Sequence, residues 1–143
     1  ELMNNADIRI VSGGTTSQIV ARELGVEVKS STEIYDKEVP PIAYIQGVDL
    51  VTEGVLTLSK TIDRLKSLSK SLDSDIFKAK DGASQMAKLL YSASHIKLLV
   101  GRSLNIANAE SSFQRDLELR LHVVGELEKI LVKLGKIVTV EYY

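Results

Sequence analysis

The sequence predicts an α/β fold: a three-layer sandwich built on a mainly parallel sheet of about four to five strands, in a Rossmann-like arrangement. Three observations lead there. Short β-type runs alternate with helical patterns along the chain, the helices are long enough to serve as crossovers between parallel strands, and three of the β runs stop at turns containing glycine.

The elements follow in order. Asp7-Ile8-Arg9-Ile10-Val11 alternates polar and apolar residues before Gly13-Gly14, as a short strand ending in a sharp turn does. From Thr15 or Thr16, the residues Ile19, Val20 and Leu24 recur at helical spacing, with a hydroxyl able to cap the start and Gly25 to stop the end. Val26-Glu27-Val28-Lys29 alternates again and reads as a second strand. Ser30 to Ile45, which holds both prolines, reads as an irregular excursion. Gly47 to Val51 is a compact β-type run. After Thr52-Glu53-Gly54, the residues Val55, Leu58, Ile62, Leu65 and Leu68 mark one face of a helix.

Asp73 to Lys80 is a polar linker anchored by Ile76 and Phe77. Asp81 caps a helix that opens at Gly82 and turns Ala83, Met86, Ala87 and Leu90 inward. His95 to Val100 is a further strand, stopped by Gly101. Asn105 to Ser112 reads as a polar loop. Leu117, Leu121, Val124, Leu127, Leu131 and Leu134 then form a long apolar stripe that ends at Gly135, and Lys136 to Tyr142 closes the chain as a β-rich segment.

Composition bounds the function classes. At 143 residues one hydrophobic core is expected, so residues 1–143 read as a single domain; 44% hydrophobic and 26% charged residues are the mixture of a folded globular chain. Eighteen basic against nineteen acidic side chains leave a net charge of -1, so no general field draws the protein to nucleic acid or an anionic membrane, and neither partner is expected. Cysteine is absent, which excludes disulfides and thiol chemistry within this chain and fits a reducing, cytoplasmic location. No apolar run approaches the roughly 20 residues a membrane helix needs, and Glu1 to Ala6 has no signal-peptide pattern. The chain begins with Glu, as a fragment of a longer protein would.

In a parallel sheet every loop from a strand into a helix lies on the carboxyl edge, where ligands bind. Three motifs are expected on that rim: Ser12-Gly13-Gly14-Thr15-Thr16, Thr52-Glu53-Gly54 and Gly101-Arg102-Ser103. Asp81-Gly82 can join them. The first motif suits an anion, because glycines let the backbone approach closely, the first amides of a helix point outward, and threonine hydroxyls donate. Arg102 can supply a bidentate fork to the same phosphate or carboxylate. Each motif also has a purely architectural reading. Gly13 and Gly14 permit a tight turn while Thr15 caps a helix, Glu53 gains from the helix dipole while Thr52 caps, and Arg102 pairs with a surface carboxylate.

His95 and His122 lack ligand spacing, so no metal site is expected. The dinucleotide fingerprint, the phosphate-binding P-loop, the nucleophile elbow and the zinc-protease helix motif are all missing from the sequence.

The segment Val11 to Gly25, together with Asp49 to Leu58, Leu99-Val100-Gly101-Arg102 and the ending Leu134-Gly135-Lys136 through Tyr143, resembles the C-terminal region of bacterial serine phosphatases of the stage II sporulation protein E type. The similarity is to the subgroup that extends beyond the phosphatase core, and it spans nearly the whole chain. The resemblance implies a divalent metal, Mn or Mg, only for that core, which is missing here. Asp81-Gly82 introduces a helix and does not stand in for the core's metal-binding Asp-Gly pair. No catalytic residue and no cofactor are therefore expected in residues 1–143.

The expected function is that of a regulatory or ligand-sensing domain which binds a small anionic ligand at the carboxyl edge, through Ser12, Gly13, Gly14, Thr15, Thr16, Thr52, Glu53, Gly54, Gly101 and Arg102, and acts on a phosphatase core attached in cis. Two alternatives stand beside it. One is a small enzyme on a phosphorylated or acyl substrate, with Glu53 as acid or base and Arg102 as anion clamp. The other is a dimerisation module using the apolar surface of the last long helix, so a homodimer is a further expected partner state.

Overall fold

A computed structural model describes residues 6–71, 74–101 and 110–143. In chain order the elements are β1 (Ile10–Ser12), α1 (Gly14–Leu24), β2 (Lys29–Ser30), β3 (Ala43–Tyr44), β4 (Leu50–Thr52), α2 (Val55–Lys70), α3 (Ser74–Lys78), α4 (Gly82–Ser92), β5 (His95–Val100), α5 (Glu110–Lys133) and β6 (Ile137–Tyr142).

The strands form two sheets, not one. A four-stranded sheet runs β1-β4-β3-β2, and β5 and β6 make a separate parallel pair. Within the first sheet only β1 and β4 are parallel, while β3 is antiparallel to both β2 and β4. The mainly parallel, Rossmann-like sheet of a three-layer sandwich is therefore corrected to a mixed α/β arrangement. The reason lies in two places. The excursion from Ser30 to Ile45 contains β3, which turns back beside β4 and makes that side of the sheet antiparallel. And β5, which alternation with helices assigned to the same sheet, pairs along its whole length with β6 instead. Alternation calls for crossovers but does not name the strand on which each crossover lands.

Side-chain alternation in β1 and β4 builds the layers. Val11 and Val51 point to one face, where with Ala21 and Ile45 they form a small core against α1. Ile10 and Leu50 point to the other, into the main core, where Leu50 meets Ile62, Leu65, Met86, Leu90, Ile96, Leu127 and Leu131. That core joins α2, α4 and α5 to both sheets. Leu65 and Leu131 are fully buried, each worth about 1.5–3 kcal/mol in transfer terms.

Helix limits follow local chemistry. The Gly25 N–H, in left-handed backbone, closes α1 on Ala21 and Arg22 carbonyls, and the Asp81 carboxylate caps α4 by accepting from the Ser84 N–H. Of the expected stripe of α5, Val124, Leu127 and Leu131 are buried, joined by Val123 and Ile130, while Leu117, Leu121 and Leu134 are partly buried. The expected polar linker before Asp81 holds α3, whose Ile76 is buried and whose Phe77 ring meets Tyr91 edge-on at 5.8 Å. The second strand, expected at Val26–Lys29, is realised at Lys29–Ser30 and shares only Lys29 with it, while Val26 and Val28 pack into the small core below α1. Residues 105–109 of the expected polar loop lie outside the described residues, and Ser111 and Ser112 already belong to α5. Among the described residues no helix is long and apolar enough to cross a membrane.

Candidate functional site: the paired turns after β1 and β4

The register of the parallel pair sets the site. Ile10 stands opposite Leu50, Val11 opposite Val51 and Ser12 opposite Thr52, so both strands end flush and both continue directly into helices. The Gly13 N–H donates to the Thr52 carbonyl at 3.0 Å, which carries the pairing one residue past the strands. A Cβ built on Gly13 would lie 3.8 Å from the Glu53 carbonyl oxygen, and one built on Gly54 3.6 Å from the Gly13 Cα. Two turns far apart in sequence thus lie against each other.

Glycine is required at the first turn. Gly13 adopts φ 107° and ψ 140°, a region that side chains with a Cβ rarely enter. Its carbonyl accepts from the Ser17 N–H at 2.9 Å and the Ser17 hydroxyl at 2.6 Å. Gly13 is the N-cap residue of α1 and offers no side chain, so the expected capping by Thr15 gives way to a different arrangement: Thr15 and Thr16 are exposed residues of the first helical turn. The first turn of α1 carries no acidic residue, and no cap side chain covers the amides of Gly14, Thr15 and Thr16.

The second turn is different. Glu53 stands just before α2, and its Oε2 accepts from the Thr57 N–H at 3.3 Å and lies 3.5 Å from the Thr57 hydroxyl. A carboxylate supplied by the chain itself therefore sits at the positive end of α2. The Thr52 side chain is buried, and its hydroxyl donates to the Ser12 Oγ at 3.2 Å, so these two side chains tie the strand ends together.

Beneath the turns lies a polar seam that spacing alone had not brought out. Thr57, Thr61, Ser84 and Asp81 are buried between α2 and α4. Arg64 gathers it: its Nε donates to the Ser84 Oγ at 2.8 Å, and its Nη2 lies 3.3 Å from Asp81 and 2.9 Å from Asp36. Asp36 belongs to the excursion, which Lys60 also holds through Glu38 at 2.7 Å. The hydrogen bond and charge of Glu38 raise the Lys60 pKa above its ordinary value. Gly82, the residue after Asp81, brings α4 against the rim: a Cβ there would stand 3.5 Å from the Thr52 Cγ2 and 3.6 Å from that of Thr57. Asp81-Gly82 thus adjoins the second turn, as its helix start allowed. Its carboxylate is engaged by α4 and Arg64. The i,i+4 spacing of Gly13 with Ser17, and of Glu53 with Thr57, was the available sequence signal for the two unforeseen partners.

Of the sequence-derived site, Ser12, Gly13, Gly14, Thr15 and Thr16 come together with Thr52, Glu53 and Gly54. Gly101 ends β5 in the second sheet, no described residue lies within 4 Å of a Cβ built on it, and its carbonyl accepts from Arg120 at 2.9 Å. Arg102 and Ser103 lie outside the described residues. A hollow of about 410 Å³, lined by Gln18, Ala21, Arg22, Val26, Glu27 and Val28, runs along the flank of α1 rather than between the turns.

No protein-family model matches the chain, and no curated protein or solved structure matches it either.

Proposed function

We propose that this chain is a ligand-sensing module that holds a small phosphorylated or carboxylated molecule at the paired turns after β1 and β4. The observation that carries the reading is the start of α1. Its exposed first turn follows a glycine N-cap, has no acidic residue, and stands beside a second glycine turn. Such an end offers backbone N–H groups and the positive end of a helix dipole, with the hydroxyls of Thr15 and Thr16 as further donors. Glu53 neutralises the neighbouring helix, so the anion belongs at α1 and not α2. Gly101 and Arg102 remain part of the proposed ligand set on sequence grounds, with Arg102 as the anion clamp.

The motif resemblance supports a regulatory role, in which occupancy of the module is passed to a serine phosphatase core attached in cis, in the cytoplasm. Glu53 as acid or base of a small enzyme has less support, since its carboxylate already binds the first turn of α2.

Isothermal titration of the chain with inorganic phosphate, nucleotides and acyl phosphates tests the reading. Binding heats are expected for at least one of these and should fall for Thr15→Val and Arg102→Ala. Equal, negligible heats for all three proteins would remove it.

A further inference from the structure

Among the described residues the second sheet has two parallel strands, packed on one face by α5, and its edges are left to further neighbours. Hydrogen bonds fix the phase of its outer strand. The Ile137 N–H donates to the Ser94 carbonyl and the Tyr143 N–H to the Val100 carbonyl, both at 2.9 Å, so the odd-numbered residues of β6 bond toward β5. In a parallel ladder the alternate residues direct N–H and C=O the other way. Val138 and Val140 therefore present backbone donors and acceptors at the far edge of β6, where no strand pairs among the described residues.

Within β6 itself no residue of the usual kind blunts that edge. Strand β6 reads Ile-Val-Thr-Val-Glu-Tyr, with no proline, glycine or lysine, and its single charge, Glu141, is drawn toward β5 by Lys97 at 2.9 Å. Ile137 remains 59% exposed. By contrast, the outward-bonding residues of β5 include His95 and Lys97, both exposed. The exposed edge that invites a strand is that of β6.

We propose that the β6 edge pairs antiparallel with the β6 edge of a second copy of this chain, about a two-fold axis at Thr139. The strand is self-complementary in that register. A two-fold axis normal to the sheet places even residues opposite even ones, so Val138 exchanges both backbone hydrogen bonds with Val140 of the copy, and Val140 with its Val138. Thr139 then faces its own counterpart, a favourable cross-strand pair, and Glu141 faces Ile137 rather than another acid. The hydrogen-bond phase permits this register, and its side-chain pairing, with Thr139 on Thr139 and the acid away from its counterpart, favours a second copy. The contact uses a surface separate from the paired turns and from the apolar stripe of α5.

Sedimentation velocity of the chain over a range of concentrations tests this. A concentration-dependent dimer is expected. Thr139→Asp and Thr139→Lys, each placing like charges across the axis at an exposed position, should each give monomer, and an equimolar mixture of the two should restore the dimer. Val140→Pro removes only an outward N–H, spares the ladder to β5, and should also give monomer. Amide exchange at Val138 and Val140 should be slow in the dimer and fast in the two Thr139 variants, while Ile137 stays protected throughout. A wild-type monomer at every concentration, or a dimer indifferent to all three substitutions, overturns the proposal.

Discussion

Gly82 and Ile42 are packed so closely that a Cβ on the glycine would stand 2.9 Å from the isoleucine Cγ2. That methyl branches directly from the Ile42 Cβ, so it cannot swing aside as the tip of a long chain would. Alanine normally gains about 0.5–1 kcal/mol over glycine inside a helix. Here the clash dominates, and Gly82→Ala is expected to lower stability by about 1–3 kcal/mol, read from the midpoint of urea unfolding. An unchanged or raised midpoint would show that α4 can retreat from Ile42 at no cost.

The Asp81 carboxylate both caps α4 and neutralises Arg64. Asp81→Ala removes a cap and leaves a half-buried guanidinium with one carboxylate partner fewer, and the expected loss is about 2–4 kcal/mol. Asp36→Asn, on the more exposed side of the same arginine, should cost less than about 1 kcal/mol. Denaturation of the two variants side by side checks the ranking. Equal losses would mean that the seam is no more stringent than a surface ion pair.

Lys60 supplies a prediction in pH. Its pKa in the folded chain is raised, chiefly by the hydrogen bond to Glu38 and then by the charge of that carboxylate. A raised folded-state value means that the contribution of the pair is whole below the ordinary lysine pKa and is lost as pH rises through the higher one. Titration of the Lys60 ζ-nitrogen by NMR should show the elevation, and Glu38→Gln should return it toward the ordinary value. No difference between the two proteins would mean that Glu38 does not hold Lys60 in solution.

Glu53 separates two roles at the paired turns. If it serves as an internal anion for α2, Glu53→Gln lowers stability by about 0.3–1 kcal/mol and removes a like charge from the neighbourhood of α1. Phosphate should then bind roughly three- to tenfold more tightly, measured by the same titration. Weaker binding would identify Glu53 as a ligand contact.

Much of the local structure is legible in the sequence, and the limit is physical. The run His95 to Val100 became β5 at the expected residues, and the spacing of Val55, Leu58, Ile62, Leu65 and Leu68 became the inner face of α2. Asp81 caps α4 as read. These features depend on neighbours within a few residues. By contrast, Ala43–Tyr44 is too short to show a period, so the strand that makes the first sheet antiparallel left no mark. The choice of β6 as the partner of β5 is a long-range decision, and so is the reach of Arg64 to Asp36. At the site, the glycine turns were visible as motifs. Their abutment rests on the register of Ser12 with Thr52, which no local pattern encodes.

That register joins residues 40 positions apart in the chain. Closing so wide a loop carries an entropic cost before any contact rewards it, so the pairing is expected to arrive late as the protein folds. A partly folded chain then has the α1 helix but no second turn beside it. An anion held by both turns would recognise the finished molecule alone, and its presence should raise the melting temperature in proportion to the logarithm of its concentration.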